Sequence, residues 1–285
     1  MTVVDALLAV GASDLTAARE AADAARTADP SSGLAPALAR YLDGARRGSV
    51  YDEPTAFEAF IDGGGNRELY ARTIAHLASV HARWQPTTVV DIGCGDGRVT
   101  RSVLAPATRH VDLVEPSAVL LDAALERMKG TEVDVGAHAM GIGDALARAD
   151  AGPWDLAMAT FALSALEPVH RVAVFEQLAR RAKRIVIVEF DVPEFADRSA
   201  DHAAYVAERY ELGLAEYAHA PEVVAGFLLP VLVGQFDPDR PRLTFEQPIA
   251  AWSRQLADAG WTVAEPAPVA DYWWAPAVCI EAVAG

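Results

Sequence analysis

The run Val89-Val90-Asp91-Ile92-Gly93-Cys94-Gly95-Asp96-Gly97-Arg98-Val99-Thr100 carries the densest chemistry in the chain. An apolar stretch of strand character enters a turn with glycines at alternate positions, and a helix follows. Glycine lets backbone approach a ligand closely, and a helix N-terminus offers unbonded N–H groups and partial positive charge. Asp91 leads into the turn and Cys94 lies within it. A second acidic residue, Glu115, stands 20 positions after Gly95, in Val114-Glu115-Pro116-Ser117 at the end of the next apolar run. A carboxylate there can accept both hydroxyls of a ribose. The spacing therefore predicts a nucleoside ligand. The glycine pattern is not the dinucleotide one, because Arg98 to Arg101 lacks the third, close-packing glycine.

With Asp91 entering the turn, this stretch resembles motif I of the class I S-adenosylmethionine-dependent methyltransferases. The resemblance continues through Glu115 and Pro116. It continues at Gly143-Asp144-Ala145-Leu146, where the family has an acidic residue facing the adenine amino group. It extends to Trp154-Asp155-Leu156-Ala157-Met158-Ala159-Thr160-Phe161, the segment of strand four. It covers about residues 87 to 191, with 247 to 284 as a further helix and closing hairpin. The resemblance implies S-adenosylmethionine as cofactor and S-adenosylhomocysteine as product. It implies a cofactor site of Asp91, Gly93, Cys94, Gly95, Glu115, Pro116, Asp144, Ala145 and Thr160. The Gly63–Gly65 turn with Asn66 is a candidate cradle for the methionyl carboxylate. The chain is also similar to bacterial natural-product enzymes acting on indoles or other aromatic amines. Some relatives of that kind catalyse a ring-forming condensation on the same fold.

Methyl transfer is an in-line displacement, so much of the catalysis is alignment. A hydroxyl or protonated amine acceptor needs a general base within hydrogen-bond reach. An indole carbon or neutral amine needs a pocket that tolerates developing positive charge, which aromatic faces provide. The candidates for proton handling are Tyr51, His170, Glu189 and Asp191. The candidates for the substrate pocket are Phe57, Phe60, Phe161, Phe227, Phe236 and Trp273, with Tyr272 and Trp274 beside the last. Each has a structural alternative. Asp144 can simply start a helix, and Glu189 can be a buried structural carboxylate. Asp191 can be turn chemistry, His170 a helix-face residue, and Trp273-Trp274 core or dimer packing. Cys94 reads as a small residue tolerated in a tight turn. The histidines show no metal-ligand spacing, so no metal is predicted.

The elements that must position these groups fall into three stretches. Residues 1–84 read as helices, interrupted at Asp29-Pro30-Ser31-Ser32-Gly33 and at Asp62-Gly63-Gly64-Gly65. From residue 87 strands alternate with helices: Thr88–Ile92, His110–Val114, Val133–Ala139, Trp154–Thr160 and Arg184–Phe190. Strongly apolar runs of this kind suit a parallel sheet covered by helices on both faces. Residues 194–247 break the rhythm, with helices expected at about 198–218 and 221–233. The resemblance implies the fold: α/β, a Rossmann-like seven-stranded methyltransferase sheet whose last strand is antiparallel. The expected domains are an N-terminal helical cap (1–84), a core (85–193 and 248–285) and a helical substrate insert after strand five (194–247).

Composition narrows the partners. The 285 residues carry a net charge of −16 and only two lysines, Lys129 and Lys183. That balance opposes nucleic acid or an anionic membrane as partner. Two cysteines make no disulfide framework. The start of the chain lacks a basic leader, and no apolar stretch reaches membrane-spanning length. The expectation is a cytoplasmic small-molecule methyltransferase of specialised metabolism, with a homodimer left open. It favours C- or N-methylation of an aromatic or amine-bearing, indole-type substrate. The competing expectation is a cyclase on the same scaffold, such as a Pictet-Spengler-type condensation.

Overall fold

Arg184-Ile-Val-Ile-Val-Glu-Phe190 explains the centre of the architecture. Its β-branched residues favour an extended chain, and Ile185 to Val188 are wholly buried on both faces, which only an interior strand allows. A computed structural model describes residues 1–44, 54–148, 150–240 and 242–285.

In chain order the elements begin with helices α1 (Val3–Gly11), α2 (Leu15–Ala28), α3 (Leu34–Asp43), α4 (Pro54–Ile61) and α5 (Asn66–Trp84). Strands and helices then alternate: β1 (Thr88–Ile92), α6 (Arg98–Val103), β2 (His110–Val114), α7 (Ala118–Met128), β3 (Asp134–His138), α8 (Ile142–Ala147), β4 (Leu156–Thr160), α9 (Pro168–Ala179) and β5 (Arg184–Phe190). After β5 come α10 (Ala200–Glu216), α11 (Pro221–Val223), a π-helical turn at Val224–Leu228 and α12 (Leu229–Phe236). The chain closes with α13 (Ile249–Asp258), β6 (Trp261–Val263), β7 (Ala267–Ala270) and β8 (Ala277–Ala284).

The strands form one sheet in the order β3-β2-β1-β4-β5-β8-β6, with β7 paired to β8. β1 to β5 are mutually parallel, and β8 runs antiparallel to β5 and β6. The parallel core and reversed last strand are those the resemblance implied. The difference is an eighth strand. The closing hairpin expected within 247–284 resolves into three strands, because Ala267–Ala270 pairs separately with β8 across a register shift. Val90, Ile92, Ala157, Ala159, Ile185 and Ile187 point to one face and pack with Phe175 and Leu178 of α9 and Trp252 and Leu256 of α13. Full burial of each such Val or Ile is worth about 1.5–3 kcal/mol.

Two compact units divide the chain. The first holds residues 1–67, 193–244 and 272–275 and is helical. The second holds 68–192, 245–271 and 276–285 and contains the whole sheet. No helix among the described residues is long and apolar enough to cross a membrane.

Candidate functional site

β1 ends at Ile92, and the chain turns through Gly93, Gly95 and Gly97 at φ of 68°, 55° and 73°. This left-handed region costs a side chain about 1–2 kcal/mol. The three glycines do different things. A Cβ on Gly93 would lie 2.4 Å from the Ala162 Cβ, and one on Gly97 would lie 2.9 Å from the Ala124 Cβ. Those two permit packing. A Cβ on Gly95 would meet nothing within 4 Å, so Gly95 presents bare backbone to open space. The turn is closed by Gly93 N–H to the Val114 carbonyl at 2.8 Å and Gly97 N–H to the Cys94 carbonyl at 3.0 Å.

Glu115 reaches into this turn from the end of β2. Its Oε2 accepts Gly95 N–H at 3.1 Å and its Oε1 accepts Ser117 N–H at 2.9 Å. Each oxygen retains a lone pair, so the carboxylate is oriented and still able to receive two hydroxyls. Asp91 is buried, and the Thr100 hydroxyl donates to its Oδ2, tying β1 to α6. Burial pushes the Asp91 carboxyl up to about 7, against the Thr100 bond and with help from the Glu115 charge. Burial, with the Asp91 and Glu115 charges, also drives the Cys94 thiol far above its ordinary range, so it is no nucleophile. Burial alone would raise Asp96, yet bonds and charge from Arg98 and charge from Arg127 hold it below the usual carboxylate range.

Pro116 is exposed between Glu115 and Ser117. Asp144 stands exposed in the first turn of α8, and the next residue, Ala145, is buried. Thr160 ends β4, and its buried hydroxyl has no hydrogen-bond partner. An orphaned hydroxyl beside bare glycine backbone and a presented carboxylate suits a polar nucleoside ligand. These groups lie at the carboxyl ends of parallel strands, where α/β sheets bind ligands.

Beyond Thr160 the chain does something unusual. Phe161 takes φ of 52°, and its N–H bonds the Val188 carbonyl at 2.9 Å. A left-handed aromatic residue is strained, and such strain concentrates at functional sites. The Phe161 ring stacks on Phe190 at 4.6 Å and meets Tyr70 edge-on at 6.0 Å, while the Arg98 guanidinium lies 5.7 Å from the Tyr70 ring. Sequence reasoning missed Phe190, Tyr70 and Arg98. Phe190 had a signal, since it ends an apolar strand.

Two of the acid–base candidates, Glu189 and Asp191, bond backbone N–H groups, while the buried Glu189 Oε2 has no hydrogen-bond partner. Glu189 Oε1 accepts the Leu163 and Ser164 N–H groups at 2.9 and 3.1 Å. Burial pushes Glu189 up to about 7, opposed by those bonds and by Arg171. Arg171 is buried 3.9 Å over the Trp252 ring and donates to the carbonyls of Leu163, Leu166 and Phe245. Glu189 and Arg171 thus brace the loop that follows Phe161. Asp191 Oδ1 accepts Ile249 N–H at 2.8 Å and caps α13. His170 is exposed on the first turn of α9. Tyr51 lies outside the described residues, as does the Phe57 side chain.

The remaining candidates belong to the first unit. Asn66 is buried, and its amide donates to the Phe60 carbonyl at 2.8 Å and the Tyr217 hydroxyl at 2.9 Å. Both donors are spent on helix packing, leaving none for a methionyl carboxylate. Phe60 stacks on Phe227 at 4.2 Å. Phe236 is fully buried against His202, a core position and not a pocket wall. Trp273 packs on Gly213, where a Cβ would come within 2.8 Å of the indole. Ring contacts link Phe236 through His202, Phe195, Tyr205 and Trp274 to Trp273.

The sheet order with its reversed last strand, the glycine turn and the Glu115 carboxylate define a class I methyltransferase fold. Residues 89–184 match the family model described as "Methyltransferase domain". Solved structures agree on the fold. Magnesium protoporphyrin IX methyltransferase from Synechocystis PCC 6803, with S-adenosylhomocysteine bound, aligns at TM-score 0.53 and 16% identity, over 81% of this chain and 93% of that one. Mitomycin 7-O-methyltransferase aligns at 0.53 and 18% identity, over 96% and 72%. The N-methyltransferase NodS from Bradyrhizobium japonicum WM9, also with S-adenosylhomocysteine, aligns at 0.51 and 12% identity, over 78% and 89%. A search of curated proteins finds no match.

Proposed function

We propose that the protein transfers the methyl group of S-adenosylmethionine to a small aromatic or amine-bearing molecule. The observation that carries this reading is the Glu115 carboxylate, oriented by Gly95 and Ser117 N–H beside bare Gly95 backbone. The residues fit the cofactor. Glu115 would take the ribose hydroxyls, the Gly93–Gly95 backbone would lie along the aminoacyl part, and Asp144 would face the adenine amino group. When bound, the cofactor supplies an electrophilic methyl on a sulfonium.

The chain's part is alignment and charge tolerance. The Phe161, Phe190 and Tyr70 rings offer faces to an aromatic acceptor and to the positive charge it gains. An N or C acceptor is favoured over a hydroxyl, because Glu189 and Asp191 each commit one carboxylate oxygen to backbone N–H groups.

The test is incubation with methyl-labelled S-adenosylmethionine and a panel of indoles, amines and phenols. Label in the product of an indole or amine supports the reading, and label confined to phenols overturns the acceptor class. Tight cofactor binding with acceptor consumed and no label transferred overturns methyl transfer and points to cyclisation.

A further inference from the structure

We infer that His76, Cys279 and Glu281 form a binding site for a zinc-class divalent metal ion that ties α5 to β8. An imidazole nitrogen, the thiol sulfur and a carboxylate oxygen of these residues all lie within 4.8 Å of one another. Cys279 and Glu281 are two apart on β8, so both side chains leave the same face of the sheet, the face that His76 meets from α5. Two separate elements therefore converge three ligand atoms on one point.

The environment is a second and independent sign. The Cys279 residue is 1% exposed and its thiol is free. The Nε2 of His76 is buried without a hydrogen-bond partner. A buried imidazole nitrogen left unbonded is costly, and a metal ion removes that cost. Arg83 pairs with Glu281 through Oε2, the carboxylate oxygen on that side.

The donor set selects the ion. Nitrogen, sulfur and oxygen together are zinc ligands, whereas calcium and magnesium take all-oxygen shells. Zinc bonds of about 2.0–2.3 Å place tetrahedral ligands roughly 3.4–3.6 Å apart. Side-chain rotations of about 1 Å bring this cluster to that spacing. Binding replaces the thiol proton by the metal and releases it to solvent. Thiolate and carboxylate then balance the two positive charges, and the fourth position is left to water. Ligand spacing in the sequence cannot reveal such a site, because one ligand precedes β1 and the other two close the sheet.

The test uses the metal-free full chain titrated with Co2+, whose thiolate complexes absorb strongly in the near ultraviolet. One Co2+ per chain with that charge-transfer band is expected, and Zn2+ should displace it and raise the melting temperature. Cys279→Ser should abolish the band, His76→Gln should weaken Co2+ binding at least tenfold, and Cys94→Ser should retain the band. No band in the parent protein, or a band that survives Cys279→Ser, overturns the site. Should Cys279→Ser fail to fold by circular dichroism, unchanged Co2+ affinity in His76→Gln overturns it instead.

Discussion

Gly93→Ala and Gly95→Ala separate packing from ligand approach within one turn. Both positions are left-handed, at φ of 68° and 55°, so each alanine costs about 1–2 kcal/mol from backbone alone. At Gly93 the new methyl would also sit 2.4 Å from the Ala162 Cβ, in the loop after β4. Overpacking of that kind adds about 1–3 kcal/mol, for a total of roughly 2–5 kcal/mol. At Gly95 the methyl enters open space and adds no such term. That space is where the cofactor backbone contact is proposed. Gly95→Ala should therefore fold with a small loss of stability and lose S-adenosylhomocysteine affinity by tenfold or more. Gly93→Ala should lose more stability than Gly95→Ala. Thermal melts of the two apoproteins and calorimetric titration of S-adenosylhomocysteine into Gly95→Ala read both quantities. Unchanged affinity in Gly95→Ala would refute the proposed cofactor path, and equal stability losses would refute the steric argument.

Glu115→Ala removes two acceptors held to a charged group, each worth about 1.5–3 kcal/mol, so S-adenosylhomocysteine affinity should fall by roughly two to four decades in calorimetry. Arg171→Met withdraws the cation facing buried Glu189 and orphans the carbonyls it bonds; the apoprotein should lose about 3–5 kcal/mol, read by thermal melt. Glu189 is raised from 4.5 to about 7 in the folded chain, so its stabilising contribution is complete below the unfolded value and disappears as pH rises through about 7. Unfolding free energy should fall from pH 5 to pH 8 by on the order of 3 kcal/mol from this group, read as a falling melting temperature, and Glu189→Gln should flatten that slope. Buried Asp91, also raised to about 7, contributes with the same sign and should leave a residual slope in the variant.

The glycine turn, Asp91 and Glu115 were legible because their chemistry is local. Glycines at alternate positions after a strand, and an acid at the end of the next strand, are set by neighbouring residues and by strand pairing of β1 with β2. The parallel order of the central strands followed for the same reason, since apolar runs buried on both faces admit few arrangements. The extra strand β7 did not, because Ala267–Ala270 is too short and too irregular to carry a period. Glu189 and Asp191 show the limit more clearly. Their types and strand-end positions suit acid–base work, yet only the packed structure reveals that Leu163, Ser164 and Ile249 N–H groups occupy them.

The same limit applies to everything built from distant segments. Phe161 was visible as a residue, but its left-handed backbone and its stack on Phe190 arise from the closure of β4 against β5. His76, Cys279 and Glu281 share no spacing at all; α5 and the antiparallel β8 bring them together. Local sequence specifies backbone shape and the groups it presents within a turn or a strand. Which side chains meet across elements is decided by burial of apolar faces, and that selection exists only once the sheet and its helices have packed.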